Sequence, residues 1–217
     1  MAQAEPIPFF SIDRSRSGIG SACEVITVSE SERRPGARSD AQRNRQRIID
    51  AATRAFTTGP DPVKIETIAH EAGVGVGTLY RNFPSREALV EEVYRSELTR
   101  LCAMAEHLVA THPPVDAMRE WMRRYQDFVA TKHGMAEALR AVIASGAIGS
   151  GQTRERLDAA IATILEAGRT DGSLRADVQP TDVSASMAGI MLTAADVDQA
   201  TRMLQLLVDG LLARAPS

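Results

Sequence analysis

Six arginines crowd residues 33–47: Arg33, Arg34, Arg38, Arg43, Arg45 and Arg47, with Asp40 as the one carboxylate among them. Guanidinium groups at this density attract polyanions, whatever the charge of the whole chain. A solvated basic arm would look the same on charge alone. A second stretch follows at 65–83, reading Ile-Glu-Thr-Ile-Ala-His-Glu-Ala-Gly-Val-Gly-Val-Gly-Thr-Leu-Tyr-Arg-Asn-Phe. Its end combines backbone with little side-chain cover (Gly75, Val76, Gly77) and hydrogen-bonding groups (Thr78, Tyr80, Arg81, Asn82). Bare backbone at a helix start can approach a phosphate, and short polar or apolar side chains beside it can meet base edges.

The elements that would position these groups follow from spacing. Ile48, Ile49, Ala52, Ala55 and Phe56 share one face of a helix over 40–56. Gly59, Pro60 and Pro62 end it. Two short helices are expected at about 65–72 and 75–82, joined at Gly73, which accepts a positive φ without a Cβ clash. Ala69 is small where the pair would cross, and Ile65, Ile68, Ala72, Val74 and Leu79 hold it against the first helix. These offsets describe a helix-turn-helix. In such a unit the second helix enters the major groove. Val76 and Thr78 are then expected at base edges and Tyr80 at a phosphate, with Arg81 in either role. Arg43, Arg47, Lys64, Gly75, Gly77, Asn82 and Arg86 complete the expected DNA-contacting set.

The charge distribution agrees. Residues 33–100 carry 12 basic and 9 acidic groups, whereas 1–32 and 101–217 are each net −3 in a chain of −3 overall. The hydrophobic fraction of 44% suffices for a core, and only 4% of residues are aromatic. With few β-branched alternations, that argues against a large sandwich or barrel.

Beyond the motif, Ser85 is a suitable N-cap for a helix to about residue 110. His112-Pro113-Pro114 marks a boundary. Further helices are expected at about 115–132, 134–145, 152–171, 180–194 and 197–213. The expected fold class is all-α with about nine helices: an extension over 1–38, a three-helix helix-turn-helix domain at 39–84, a connecting helix at 85–111, and a second helical domain at 112–217.

Residues 43–90, 48 of 217, resemble the DNA-binding domain of the TetR family of transcriptional repressors. The run Gly-Val-Gly-Thr-Leu-Tyr-Arg-Asn-Phe-Pro-Ser-Arg-Glu-Ala-Leu is the specific part. The resemblance implies a homodimer that binds a palindromic double-stranded operator and releases it on binding a small-molecule effector. It also implies phosphate contacts for Tyr80 and Arg86, and a four-helix bundle formed by the last two helices and their copies. Where the family usually has a Ser or Thr cap on the motif's first helix, this chain has Val63-Lys64. Losing such a cap costs about 1 kcal/mol, and Lys64 is expected instead to offer a point charge to the DNA backbone. The run Val129–Leu139 resembles the effector domain of SbtR-type regulators.

For the second domain, an apolar pocket lined by Met104, Leu108, Trp121, Tyr125, Phe128, Met135, Leu139, Met187 and Met191 is expected, with His107 and His133 as polar groups. Ordinary core packing is the competing reading of the same spacing. Val183, Ile190, Leu204, Leu207, Val208 and Leu211 are expected in the dimer interface, in a stripe that Leu212 makes broad for a single buried face. The competing reading is again the chain's own core.

Catalysis is not expected. The Gly73–Gly77 run has no preceding strand and no following Gly-Lys-Ser/Thr, and there is no Gly-x-Ser-x-Gly elbow. Cys23 and Cys102 give no disulfide framework, and neither H-E-x-x-H nor C-x-x-C occurs, so neither metal nor cofactor is expected. No membrane-spanning run and no signal core is found, so the expected compartment is the cytoplasm. A non-catalytic helical protein-interaction module is the alternative reading.

Overall fold

A computed structural model describes residues 35–59 and 63–213. Among them are nine helices: α1 Pro35–Thr58, α2 Ile65–Glu71, α3 Val76–Asn82, α4 Arg86–Thr111, α5 Pro114–Gly134, α6 Ala136–Ala144, α7 Ser150–Thr170, α8 Pro180–Thr193 and α9 Val197–Leu211. The expected all-α fold is what the chain adopts. The α1 start differs from expectation: helix begins at Pro35, so residues 35–38 of the expected extension are helical. Proline in a first helical turn loses no hydrogen bond, so Pro35 opens the helix rather than preventing it. The rest of that extension, Cys23 with it, lies outside the described residues, as do Pro60 and Pro62.

Helix α1 buries Ile48, Ile49, Ala51, Ala52, Ala55 and Phe56. Helices α2 and α3 pack on it through Ile65, Ile68, Ala69, Ala72, Leu79 and Phe83. Gly73 turns the chain between them at φ +64°, and the Val74 amide donates to the Ala69 carbonyl at 3.0 Å. Ser85 caps α4 by accepting from the Ala88 amide at 3.1 Å. Helix α4 then runs from this unit into the second half, packing on α5, α6 and α7.

The second-half core is aromatic at its centre. Trp121, Tyr125 and Phe128 lie on one face of α5 and are buried. Trp121 stacks on Tyr125 with ring centres 6.2 Å apart, and Phe128 packs against Tyr94 of α4 at 5.5 Å. At the far end, the Arg175 amide donates to the Leu211 carbonyl and the Ala213 amide to Ser173, tying the end of α9 to the α7–α8 loop.

Helices α8 and α9 correct the expected interface. Val183, Leu204, Val208 and Leu211 are at most 4% exposed within the single chain, so they belong to its own core. Ile190 and Leu207 are half-buried. The outward apolar face is rotated by about a quarter turn and comprises Met203, Leu206, Leu207 and Gly210 of α9 with Gly189 and Ile190 of α8. Leu206 is 70% exposed. Leu204→Ala is therefore expected to cost about 2–5 kcal/mol of folding stability, and Leu206→Ala less than about 0.5 kcal/mol in the unassociated chain. Urea unfolding at fixed, low protein concentration checks the pair.

Candidate nucleic-acid interface

Of the seven residues of α3, only Leu79 is buried. It anchors the helix together with Val76, which is half-buried and packs on the same core, and the opposite side is presented. Gly75, Gly77, Tyr80 and Arg81 are exposed, and Val76, Thr78 and Asn82 are half-buried. A Cβ built at Gly75 or Gly77 would meet nothing within 4 Å, so the helix start is open on that side. Tyr80 is 46% exposed, with its hydroxyl as a hydrogen-bonding handle on the outer side. No side chain caps α3, whose N-cap is Gly75. The Thr78 and Leu79 amides donate to the Gly75 carbonyl at 2.8 and 3.1 Å, so the helical ladder begins there, and amides ahead of it have no acceptor within the helix.

Helix α1 brings its cations to the same side. The Arg47 guanidinium lies over the turn, with Nη1 3.8 Å from the position of a Cβ at Gly73. Arg47 also donates to Asn44 Oδ1 at 2.6 Å, and Arg43 pairs with Asp40. Both arginines are exposed, so these local partners exchange readily for a stronger anion. Lys64 is the exposed N-cap of α2 and makes no side-chain cap hydrogen bond, as its sequence context suggested.

Three expected contact residues have duties inside the chain. Arg81 donates to the Thr78 hydroxyl at 2.9 Å, and the Asn82 amide group turns back to the Thr78 carbonyl at 2.8 Å. Arg86 is half-buried: Nη1 donates to the Val63 carbonyl at 2.7 Å and its guanidinium stands 5.6 Å from the Phe56 ring centre. It thereby props the chain entering α2 against α4.

Sequence reasoning did not single out Arg45 as a structural residue. It is half-buried and holds three partners: the Asn82 carbonyl at 3.2 Å, Glu92 Oε2 at 2.6 Å, and the Phe83 ring with its centre 4.4 Å away. Nothing local in the sequence signals it, because all three partners are at least 37 residues away.

The expected pocket set forms no common cavity among those described. Leu108, Trp121, Tyr125, Phe128, Met135, Leu139 and Met187 are buried in close packing, and Met104 and Met191 are half-buried. The polar handle of Trp121 is already used, since its Nε1 donates to the Leu101 carbonyl at 3.0 Å. Burial pushes the Tyr125 hydroxyl upward in pKa. His107 is exposed. So is His133, which lines a shallow cleft of ≈ 250 Å³ that also includes Met191, Gln126 and Val197. Among the described residues no group of three or more His, Cys, Asp or Glu side chains could hold a metal ion, and no helix is long and apolar enough to cross a membrane.

The comparisons with known proteins match both halves. Residues 48–93 fit the family described as bacterial regulatory proteins, tetR family, and residues 113–213 fit the SbtR-like transcriptional regulator C-terminal domain. The crystal structure of a TetR transcriptional regulator from Streptomyces coelicolor shares 46% identity, with 79% of this chain and 99% of that one covered and a TM-score of 0.71. The chain belongs to the TetR family. It is a TetR-family transcriptional regulator whose helix-turn-helix is α2–α3, and members of this family are non-catalytic. A TetR regulatory protein from Mycobacterium vanbaalenii is 28% identical over 82% of this chain and 99% of its own, with a TM-score of 0.64. HTH-type transcriptional regulators of Staphylococcus aureus are 40% identical over 62 residues, 28% of this chain and 34% of theirs. The chain thus matches about a third of the length of those curated relatives.

One further group of this TetR-family chain stands out in the second half. Lys132 extends from α5 with its ammonium 5.7 Å from the ring centres of both Tyr94 and Phe128. Burial lowers its pKa from 10.5 to about 8. Between about pH 8 and pH 10.5 the unfolded chain therefore holds more protons at this site, and stability gains with rising pH there. Raising the pH from about 7.5 to about 9.5 is expected to raise the urea midpoint of the parent relative to that of Lys132→Met. Parallel shifts in the two proteins would contradict it.

Proposed function

We propose that the chain acts as a homodimer on a palindromic operator, with α3 of each copy in the major groove, and that a small effector bound by the second half releases it. The observation that carries this reading is the open outer side of α3 beside the exposed Arg43 and Arg47, in a chain of TetR membership. Val76 and Thr78 read base edges, while Tyr80, Lys64, Arg43 and Arg47 meet phosphates. Gly75 and Gly77 let the backbone close on the duplex. Arg81 and Asn82 order the end of the helix, and Arg86 reaches phosphate with whatever its bond to Val63 leaves free.

Residues 39–84 then form the reading head, 85–111 the connector, and 112–217 the effector-binding and dimerising part. The outward face of α8 and α9, with Ile190, Met203, Leu206 and Leu207, meets its copy. A two-fold pair must place its reading helices about 34–36 Å apart, or a multiple of a turn, to meet successive grooves. An effector acts by favouring a different separation. Equal affinity for both arrangements shifts nothing, and a tenfold loss of operator affinity needs about 1.4 kcal/mol of differential binding.

Selection from random duplexes followed by gel-shift titration tests the reading. Tyr80→Ala is expected to weaken binding to all duplexes by about tenfold or more. Arg47→Gln is expected to lower the salt slope by about 0.9, and Thr78→Ala to change the selected sequence. Leu206→Glu is expected to turn the sedimenting species from dimer to monomer and to abolish tight operator binding. Failure of the unaltered chain to retain any duplex at low salt contradicts the reading.

A further inference from the structure

Helix α1 is gripped at its C-terminal end and near its middle, at Arg45, by groups that belong to different halves of the chain. At its C-terminal end it meets α5. A Cβ at Gly134 would lie 1.8 Å from the Phe56 carbonyl oxygen and 2.7 Å from its carbon, so the two backbones touch with no side chain between them. Beside this contact the Thr57 and Thr131 hydroxyls stand 2.7 Å apart, and Thr131 is 2% exposed. About eighteen ångströms back along the helix, at 1.5 Å per residue, Arg45 holds the Asn82 carbonyl at the last residue of α3, stacks on Phe83 and pairs with Glu92 of α4. Ile48, Ala51, Ala52 and Ala55 between the two grips are buried, so the intervening rod is supported throughout.

We propose that the part of α1 over residues 45–58 is a rigid lever between the effector half and the reading helix, with Gly134 and the Thr57–Thr131 pair as its seat and Arg45 as a positioning residue at its working point. This rests on the DNA reading above and adds a route that does not run through α4 alone. Packed backbones without side-chain cushioning cannot slide by small amounts, so a shift of α5 moves α1 with it. Arg45 then carries the movement to the end of α3. It acts on DNA through Asn82 and Phe83, not by touching phosphate.

Linkage makes the test independent of the effector: if the seat is coupled to α3, operator binding must alter the seat. Hydrogen exchange of the full chain is followed with and without a duplex obtained by selection. Operator is expected to slow exchange at 128–135 by about threefold or more in the parent. In Thr57→Val/Thr131→Val, which keeps shape and removes both hydroxyls, that response is expected to shrink while the 75–82 response persists. Arg45→Gln is expected to lower operator affinity tenfold or more with an unchanged salt slope, and Arg45→Lys to recover part of the loss. Operator binding that leaves 128–135 unaltered, or an Arg45→Gln salt slope reduced by a full phosphate contact, would overturn the lever alone. No duplex bound by the parent overturns the DNA reading and the lever together. Urea midpoints of the variants, measured alongside, separate lost positioning from lost folding: an affinity loss confined to unfolded protein also overturns it.

Discussion

A helix of seven residues does not hold its shape in water, because nucleation costs more than two turns of hydrogen bonds return. Helix α3 therefore exists only as a passenger. Leu79 is its one buried residue, with Phe83 immediately after it, and both sit against the α1–α2 pair. Everything that faces outward on α3 depends on that anchor. Gly77 lowers the intrinsic stability of the helix still further, which raises the demand on the supports around it. Arg45 and Arg86 answer that demand from α1 and α4, each half-buried and each bonded to a backbone carbonyl at an edge of the motif.

This arrangement separates two uses of arginine that look identical in composition. Arg43 and Arg47 are exposed and, among the described residues, bond to neighbours three residues away on their own helix. Arg45 lies between them in sequence and faces inward, with a carboxylate, a carbonyl and an aromatic ring around it. A guanidinium suits that place because its planar fork can bond and stack together, which an ammonium cannot do.

What could be read in the sequence was mostly local. The turn at Gly73, the small Ala69 and the Ser85 cap each act within a few residues, and each is where spacing put it. The missing cap before α2 was equally legible, since Lys64 offers no acceptor. Direction was harder. Helix α9 carries one apolar stripe through Ala200, Leu204, Val208 and Leu211 and another through Met203, Leu206, Leu207 and Gly210, and periodicity cannot say which turns inward. The same holds for Trp121 and Tyr125, whose spacing fits core and pocket alike and which are both buried. Contacts across the chain, such as Thr57 with Thr131 or Lys132 with Tyr94, leave no trace in spacing at all.

Gly189 and Gly210 sit bare on the outward side of α8 and α9, with open space where a Cβ would be. Helices meeting there can come to the short end of the usual separation of about 8–10 Å. A sister polypeptide carrying a bulky group at either spot would be held off by steric bulk. In the proposed pair, a hydrogen atom at each spot would set how near a partner helix can come, without any charge or specific bond being required.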